Sequence, residues 1–316
     1  MSEKYLIAAA QVAPAFLDMG ASLEIAVRWI KEARKNGVRL LVFPETWFPG
    51  YPVWLDSSPG AAMWDYPPAK AVFRRLMENS PTIPSDFTSQ LCSAVAEAGL
   101  TLVMGLHERD GNTLYNTMLY ISEQGELLGK HRKLVPTYAE RLLWGRGDGS
   151  TMTVVDTPIG RVGGLVCWEH WMPLARQAMH EKGEIIHAAV WPSVDDNHLL
   201  ASRAYAFEGR CFVVAVGSVL RRDNMPTGLE ILDQIPGDGP FLTGGSVIIG
   251  PDAVIKAGPA GDKETLLIAE IDPGQIAEAA LTLDVCGHYA RPDVFTLVVN
   301  EQPMRGVKII ESSDTS

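Results

Sequence analysis

Residues 163–171 read GGLVCWEHW, an apolar run that ends in Cys167 and is followed by Trp168 and an acid, Glu169. The run predicts a buried strand, and Pro173 shortly after it predicts the first turn of a helix. A thiol at such a strand-to-helix turn lies in the field of backbone N–H groups, which favour a thiolate and can stabilise an oxyanion. The alternative is an inert core cysteine, which burial statistics favour for an arbitrary Cys in an apolar run. Cys167 therefore needs chemical partners before it can be assigned as a nucleophile.

Short apolar runs bounded by turn formers recur on both sides of this stretch and predict buried strands. They are YLIAAAQ, VRLLVFPE, LTLVMGL, YNTMLYI, GRVGGLVCWE, IIHAAVWP and RCFVVAVGS. Helical patterns lie between several of them, and each ends in glycine, the residue expected just past a helix C-terminus. These are ASLEIAVRWIKEARKNG, SDFTSQLCSAVAEAG, PLARQAMHEKG and NHLLASRAYAFEG. The alternation predicts a layered α/β architecture, and GGSVIIGPDAVIKAG at 244–258 predicts an antiparallel hairpin, so the sheet should be mixed.

Two stretches, 49–84 and 221–245, break this alternation and read as irregular segments. Such segments in a compact domain are usually functional loops or contacts to another subunit. Both carry apolar residues that a monomer should leave partly exposed. These are Val53, Trp54, Met63, Trp64, Leu229, Ile231, Leu232 and Ile235.

The composition limits the class of protein. A chain of 316 residues can form one large α/β domain, expected over 1–300 with a tail at 301–316. The formal net charge of −11 disfavours nucleic acid or an anionic membrane as a partner and favours a small ligand. The four cysteines form no C-x-x-C pair or zinc-like cluster, which suits a reducing compartment. Neither a signal peptide nor a bilayer span is evident, so we expect a cytoplasmic protein.

Charged residues follow other predicted strands. Glu45 in LLVFPETWFPGYP comes just after a hydrophobic strand, where partial desolvation would raise its pKa towards a range useful for proton transfer. Lys133 and Glu140 lie in LGKHRKLVPTYAERLLWGRGDG. Each charge taken alone is best interpreted as a solvated loop residue. Their joint appearance in aromatic and proline-rich loops favours partners for Cys167.

The motifs FPETWFPGYP, HRKLVPTYAERLLWGRGDG and CWEHWMP resemble, in this order, those of the nitrilase superfamily. LDVCGHYARPDVF extends the resemblance towards the C-terminus, and CWE with PTYAERLLWGRGDG is similar to the nitrilase branch rather than to amidases or carbamoylases. The resemblance implies an α/β fold, a four-layer αββα sandwich with mixed sheets. It also implies a Glu–Lys–Cys triad with a second glutamate, and neither a metal nor an organic cofactor.

Transferred residue by residue, the resemblance implies that Cys167 attacks a nitrile carbon to give a thioimidate and that Glu45 relays protons. Lys133 and the backbone N–H of Trp168 would stabilise the developing charge, and Glu140 would orient Lys133 or assist with water. The products would be a carboxylic acid and ammonia. The alternatives are an amidase, an N-carbamoyl hydrolase or a cyanide-degrading relative with the same site, and, outside catalysis, an inactive scaffold of the same fold.

Several residues beside these motifs have open roles. The aromatic residues could line an apolar nitrile pocket or pack in the core, and these are Trp168, Trp191, Tyr51, Trp54 and Tyr138. An ionised Glu169 would oppose a thiolate, so we expect it to hold the turn and to point away from the sulfur. GRGDGS lacks phosphate-loop spacing, and HEKGEIIH at 180–187 lacks the spacing of H-E-x-x-H, so neither is assigned a function.

Assembly is the last expectation. The resemblance implies a dimer formed by stacked helical faces, which nitrilase-branch members often extend into spirals or filaments. A second, differently oriented contact need not close on itself, which gives open helices. We expect a homo-oligomer, a dimer or larger even-numbered assembly. Filaments are the less expected outcome, because the chain ends soon after RPDVFTLVVNEQPMRG.

Overall fold

The computed structural model describes residues 4–304. The strands in this range are β1 (Tyr5–Gln11), β2 (Val38–Val42), β3 (Thr101–Asp110), β4 (Thr113–Ile121), β5 (Leu127–Arg132), β6 (Val155–Thr157), β7 (Gly160–Val166), β8 (Ile186–Val190), β9 (Phe212–Val216), β10 (Val219–Leu220), β11 (Leu242–Thr243), β12 (Val247–Ile249), β13 (Ile255–Ala257) and β14 (Thr265–Ile271). The helices are α1 (Met19–Lys35), α2 (Trp54–Ser57), α3 (Pro67–Glu78), α4 (Asp86–Ala98), α5 (Pro173–Glu181), α6 (Asp196–Gly209), α7 (Glu230–Asp233) and α8 (Gly274–Ala280). Short 3₁₀ turns cover Tyr138–Leu142, Gly149–Thr151, Cys167–Trp171 and Arg222–Asn224.

Two six-stranded mixed sheets form the centre of the molecule. Their strand orders are β14-β1-β2-β3-β4-β5 and β13-β12-β9-β8-β7-β6. In the first sheet β1, β2 and β3 run parallel, and in the second β7, β8 and β9 run parallel, with antiparallel strands at the edges. The predicted hairpin at 244–258 is the antiparallel pair β12–β13.

The alternation of side chains along β1 shows how the layers stack. Ile7 and Ala9 pack in a cluster shared with residues of the second sheet, whereas Ala8 and Ala10 pack in the cluster that contains α1 and α4. Helices α5 and α6 contribute to the cluster around the second sheet. The result is a four-layer αββα sandwich, which confirms the predicted fold class.

Glycine permits one close approach that shapes the site. A Cβ at Gly105 on β3 would overlap the backbone carbonyl of Pro44. The chain after β2 therefore runs along β3, where the Phe43 N–H donates to the Val103 carbonyl at 2.9 Å and the His107 N–H donates to the Phe48 carbonyl at 2.8 Å. The loop that follows β2, which contains Glu45, therefore comes close enough to β4 for Asn116 to bond to Glu45.

The two stretches predicted to be irregular are more ordered than expected. The first contains α2 and α3, the second contains α7, and the two pack on each other. The Ser58 hydroxyl donates to the Ile231 carbonyl at 2.6 Å, and the Tyr66 hydroxyl donates to Glu230 at 2.8 Å. A separate small core forms where these segments meet.

This core corrects the expectation of exposed apolar inserts. Five of the eight residues are buried in it, namely Val53, Trp54, Ile231, Leu232 and Ile235, and Leu229 is half-buried. Met63 and Trp64 stay exposed. Apart from Met63 and Trp64, these apolar residues pack against each other within one chain, so they give no argument for a subunit contact.

The end of α6 also differs from the prediction. Its left-handed cap is Arg210, with φ of 49°, while Gly209 is the last helical residue. A Cβ at Gly209 would collide with the imidazole of His180, so this glycine serves packing rather than the cap. Helices α1, α4 and α5 are followed by glycines with positive φ, as predicted.

Within residues 4–304, no helix combines the length and apolar character needed to cross a membrane. Of the predicted tail at 301–316, residues 305–316 lie outside the described range.

Candidate active site

Three of the four predicted chemical residues follow a strand closely. Glu45 follows β2 and Lys133 directly follows β5, two strands of the first sheet that point the same way. Cys167 directly follows β7 of the second sheet, and Glu140 lies in the Tyr138–Leu142 turn. One carboxylate oxygen of Glu45, one of Glu140 and the Cys167 Sγ lie within 4.8 Å of one another. The fold thus brings the four residues together from distant parts of the chain.

Lys133 lies at the centre of this group and is 1 % exposed. Its Nζ donates to Glu45 Oε1 at 2.9 Å and to Glu140 Oε2 at 2.7 Å. Burial alone would lower the pKa of Lys133, but the charges of Cys167, Glu45 and Glu140 raise it above its ordinary value. The Lys133 ammonium therefore balances the negative charge of the two carboxylates to which it bonds.

Glu45 is fully buried and unevenly bonded. Its Oε1 accepts from Asn116 Nδ2 at 2.6 Å and from Lys133, whereas its Oε2 has no hydrogen-bond partner among residues 4–304. Burial, with a contribution from the Glu140 charge, raises the pKa of Glu45 to about 7 against the opposing effect of Lys133 and Asn116. A carboxyl with this pKa and a free oxygen can both accept and return a proton near neutral pH.

Cys167 is held in an unusual conformation. Its φ is 55°, in the left-handed region that a non-glycine residue rarely adopts, and its Sγ accepts a hydrogen bond from the Trp168 N–H. Burial raises the pKa of the Cys167 thiol well above its ordinary value, and Glu45 adds to this while Lys133 opposes it. The resting sulfur is therefore a thiol that needs a proton acceptor before it can attack a carbon.

Glu140 is bonded on both oxygens. Oε1 accepts from the Tyr51 hydroxyl at 2.9 Å, and Oε2 accepts from the Thr137 N–H at 2.6 Å as well as from Lys133. With no free oxygen left for chemistry, the carboxylate is arranged to hold the Lys133 ammonium in place.

Glu169, next but one to the cysteine, faces away from the sulfur. Its oxygens accept from the Val166 N–H at 2.6 Å, the Leu134 N–H at 2.7 Å and His131 Nε2 at 2.9 Å. Burial would raise the pKa of Glu169, but His131 and the two backbone donors lower it. The structure confirms that this residue holds the turn, and it also ties the strand before Cys167 to the residue after Lys133.

A cavity of about 260 Å³ opens above the thiol. Its lining residues are Tyr51, Asp56, Thr137, Tyr138, Glu140, Cys167, Trp168, Pro192 and His198. Three of the five aromatic residues proposed for the pocket, Tyr51, Tyr138 and Trp168, are among them. Tyr138 and Trp168 are also exposed, so they lie where the cavity meets solvent.

The other two aromatic residues, Trp54 and Trp191, are core residues rather than lining residues. Trp54 packs edge-on against Phe16 with ring centroids 5.8 Å apart. Trp191 is fully buried and stacks between His170 and His198, at 4.7 and 4.3 Å. Each indole is displaced from the cavity because neighbouring rings enclose it, which corrects the assignment made from its position beside a motif.

Sequence reasoning missed Asn116 and His198. Asn116 lies in the predicted strand YNTMLYI, where an amide between apolar residues is a signal that could have been followed. His198 lies near the start of α6 and has no comparable signal. Its place in the cavity depends on how α6 packs across Trp191.

The sequence is similar to those of known carbon-nitrogen hydrolases. The family model for carbon-nitrogen hydrolases matches residues 6–281. The chain is 43% identical to an aliphatic nitrilase of Sinorhizobium fredii over 310 residues, which cover 96% of this chain and 98% of that protein. It is 39% identical to nitrilase 2 of Arabidopsis thaliana, covering 95% and 90%, and 40% identical to a bifunctional nitrilase/nitrile hydratase of Lupinus angustifolius, covering 96% and 88%.

Solved structures agree at the level of the fold. A nitrilase-superfamily protein of Saccharomyces cerevisiae superposes with a TM-score of 0.70 at 22% identity, covering 92% of this chain and 97% of that one. An amidase from Nesterenkonia superposes with a TM-score of 0.63 at 20% identity, covering 88% and 95%. The chain belongs to the carbon-nitrogen hydrolase family, and it is an enzyme of the nitrilase superfamily.

Proposed function

We infer that this enzyme is a nitrilase, which converts an organic nitrile and two water molecules into a carboxylic acid and ammonia. The observation that carries the inference is the convergence of Cys167, Glu45 and Lys133. A carboxylate oxygen of Glu45 lies within 4.8 Å of the Cys167 sulfur, Lys133 bonds to Glu45, and Cys167 lines the cavity. The thiol supplies a nucleophile, the carboxyl with a free oxygen supplies a proton carrier, and the ammonium stabilises negative charge. Relatives named nitrilases, at about 40% identity over nearly the whole chain, support it.

The first half of the proposed reaction forms a covalent adduct. Ionised Glu45 takes the thiol proton as Cys167 Sγ bonds to the nitrile carbon. The nitrile nitrogen then takes that proton from Glu45, so S–H has added across the triple bond to give a thioimidate. Lys133 and the Trp168 N–H stabilise the charge that develops at nitrogen.

The second half releases the products. Water adds across the C=N bond, with Glu45 taking a proton from the water and giving it to nitrogen. The hydroxyl proton of the tetrahedral adduct then passes by way of Glu45 to the amine nitrogen, and ammonia leaves as the C=O bond of the thioester forms. A second water attacks the thioester carbon, the C–S bond breaks, and the sulfur recovers its proton as the acid departs. Glu140 acts by holding Lys133 rather than by contacting the nitrile.

Amide release is a second candidate outcome. The tetrahedral adduct formed by the first water can expel ammonia, which leads to acid, or the Cys167 sulfur, which leads to amide. The Lupinus angustifolius relative is named as both a nitrilase and a nitrile hydratase. The same site can therefore divide one intermediate between two products.

A substrate screen tests the function. Purified enzyme is incubated with aliphatic, aromatic and arylacetonitriles and with the corresponding amides, and ammonia, acid and amide are quantified. We expect ammonia and acid in equal amounts from at least one nitrile class, with the matched amides turned over more slowly. Cys167→Ala serves as the blank. Faster turnover of amides than of every nitrile would replace this proposal with an amidase or carbamoyl hydrolase.

We propose a dimer or larger even-numbered oligomer that acts in the cytoplasm on a small nitrile. The exposed Trp64 and Leu174 are surface apolar residues available for such a contact. Light scattering checks the assembly, and an active monomer of the chain mass would contradict it.

A further inference from the structure

Next to Cys167, four buried side chains that do not line the cavity form a continuous row of hydrogen bonds. His170 Nδ1 lies 2.7 Å from the Cys167 carbonyl oxygen, and His170 Nε2 lies 2.9 Å from His187 Nε2. His187 Nδ1 lies 2.9 Å from Glu184 Oε2, and the Tyr205 hydroxyl donates to Glu184 Oε1. All four side chains are buried.

The row uses residues to which the nitrilase mechanism gives no role. Glu184 and His187 come from HEKGEIIH, which the sequence leaves without a function. The glycines before the nucleophile make room for it, because a Cβ at Gly163 would overlap Glu184 Oε2. Within the row, His170 makes the hydrogen bond to the backbone of the nucleophile.

The Cys167 carbonyl oxygen at one end of the row determines which atom donates in each hydrogen bond. A carbonyl oxygen can only accept, so His170 Nδ1 must carry the hydrogen. Burial and His187 lower the pKa of His170 to about 3, so its ring is neutral and its Nε2 is bare. His187 Nε2 must then be the donor. Its Nδ1 can be bare against a protonated Glu184, or protonated against an ionised one.

Both arrangements give the Glu184–His187 pair one shared proton. If the pair loses it, His187 turns its remaining hydrogen towards the carboxylate and presents a bare Nε2 to His170. His170 must then donate from its own Nε2, which leaves a bare Nδ1 facing the Cys167 carbonyl at 2.7 Å. Two lone pairs at that distance repel, so the Cys167 turn loses its support.

We propose that His170, His187 and Glu184 are positioning residues that hold Cys167 in its left-handed conformation, and that they do so only while the Glu184–His187 pair retains its proton. The proposal rests on the proposed function in one respect, that Cys167 is the nucleophile. A non-glycine residue with φ of 55° needs its surroundings to impose that conformation. The sulfur and the Trp168 N–H both depend on it.

Titratable groups face the pair from several elements packed against it. Those facing it are Tyr120 of β4, His131 of β5, Glu169 of the Cys167–Trp171 turn, His180 of α5, His198 and Tyr205 of α6, and Cys211. Burial raises the pKa of Tyr120, Tyr205 and Cys211 well above their ordinary values, so they keep their protons. Burial also raises the pKa of Glu184 to about 7.

The first test reads the tautomers without any substrate. Protein labelled with ¹⁵N-histidine is compared with His170→Asn to assign the His170 nitrogens by NMR. We expect hydrogen on Nδ1 of His170, the tautomer that is less common in water, and a change of that signal on raising the pH. Hydrogen on Nε2 of His170 at neutral pH would overturn the proposal whatever the enzyme hydrolyses.

Two matched substitutions test the function of the row. The Asn amide overlays His Nδ1 and the Gln amide overlays His Nε2, so His170→Asn keeps the bond to the Cys167 carbonyl and His170→Gln loses it. We expect kcat of His170→Gln to fall by about 10²-fold, the cost of a misplaced reacting group, with KM little changed and His170→Asn retaining most of its activity. Thermal unfolding and the rate of Cys167 alkylation by iodoacetamide are measured alongside. A folded His170→Gln with the kcat and alkylation rate of the wild type would overturn the proposal.

Glu184→Gln tests the shared proton. The amide can donate to His187 Nδ1 and accept from Tyr205 at every pH, so this variant keeps the row without a titrating group. We expect kcat of the wild type to fall on the alkaline side of neutral pH and that fall to disappear in Glu184→Gln. Both proteins are checked by thermal unfolding across the range. An identical alkaline fall in a folded Glu184→Gln would remove the pair from the mechanism, and alkylation rates separate this result from failure of the nitrilase assignment.

Discussion

Glu45 and Glu169 are two buried glutamates beside one cysteine, and they differ in how many donors reach them. Glu169 meets two backbone N–H groups and His131, and these donors lower its pKa. Glu45 meets Lys133 and Asn116 on a single oxygen, its second oxygen has no partner among the described residues, and its pKa rises to about 7. The two carboxyl groups are equally buried, yet the pKa of Glu45 is raised and the pKa of Glu169 is lowered.

The difference shows what separates a structural carboxylate from a chemical one. A carboxylate that accepts several N–H bonds is stabilised as the anion and has little tendency to take a proton. A carboxylate that is buried but incompletely bonded holds its proton weakly enough to give it away and strongly enough to take it. Each of the following substitutions tests one side of this contrast.

The largest effect is expected at the sulfur that Glu45 serves. Cys167→Ala should lose essentially all turnover, because no covalent adduct can form, while the protein keeps its fold. Steady-state assays and circular dichroism check this, and peptide mass spectrometry after alkylation should find the label on Cys167 in the wild type. Wild-type turnover in Cys167→Ala would contradict the assignment of Glu45 as the chemical carboxylate, because Cys167 would then not be the nucleophile.

Next in size is the loss of the proton carrier. Glu45→Gln should lower kcat by at least about 10²-fold, the usual cost of removing a general acid–base group. In the wild type the active form has Glu45 ionised, and its pKa is raised, so kcat/KM should fall as the pH drops below about 7. A pH profile checks this. A variant with unaltered turnover would show that the free oxygen is not used.

The smallest effect on turnover, and the largest on stability, is expected at Glu169. Glu169→Gln would place an N–H₂ group against a backbone donor and leave His131 without its anion, so we expect a loss of about 3 kcal/mol in unfolding free energy. The lowered pKa of Glu169 and the raised pKa of His131 mean that the pair stabilises the fold between those two values and is lost outside them. Urea unfolding at several pH values measures this. Unchanged stability with abolished turnover would reverse the roles of the two glutamates.

Much of this site follows from reading strand ends. Glu45 and Cys167 were predicted because each comes after an apolar run, whereas Lys133 was predicted from its place in a motif that follows a predicted strand. The catalytic roles of all three were implied by the family resemblance. The position of a side chain relative to a cavity does not follow in the same way. Trp54 and Trp191 lie beside the right motifs, but ring packing with Phe16, His170 and His198 encloses them.

Contacts between segments far apart in the chain were also not predicted from the sequence. The pattern of α3 is weakened by the prolines around it, and the burial of Ile231 depends on a segment more than 150 residues away. Asn116 bonds to Glu45, 71 residues distant in sequence, only because the chain after β2 crosses Gly105. Local periodicity carries no information about such meetings.

The proton carrier and the nucleophile belong to different sheets, since Glu45 and Lys133 extend from the first and Cys167 extends from the second. Sliding of one sheet over the other by the width of a methyl group would separate them while every strand stayed intact. Turnover is thus a sensitive gauge of alignment between the two halves. In mild denaturant, under pressure or after mutation of the inter-sheet core, activity should be lost before secondary structure changes.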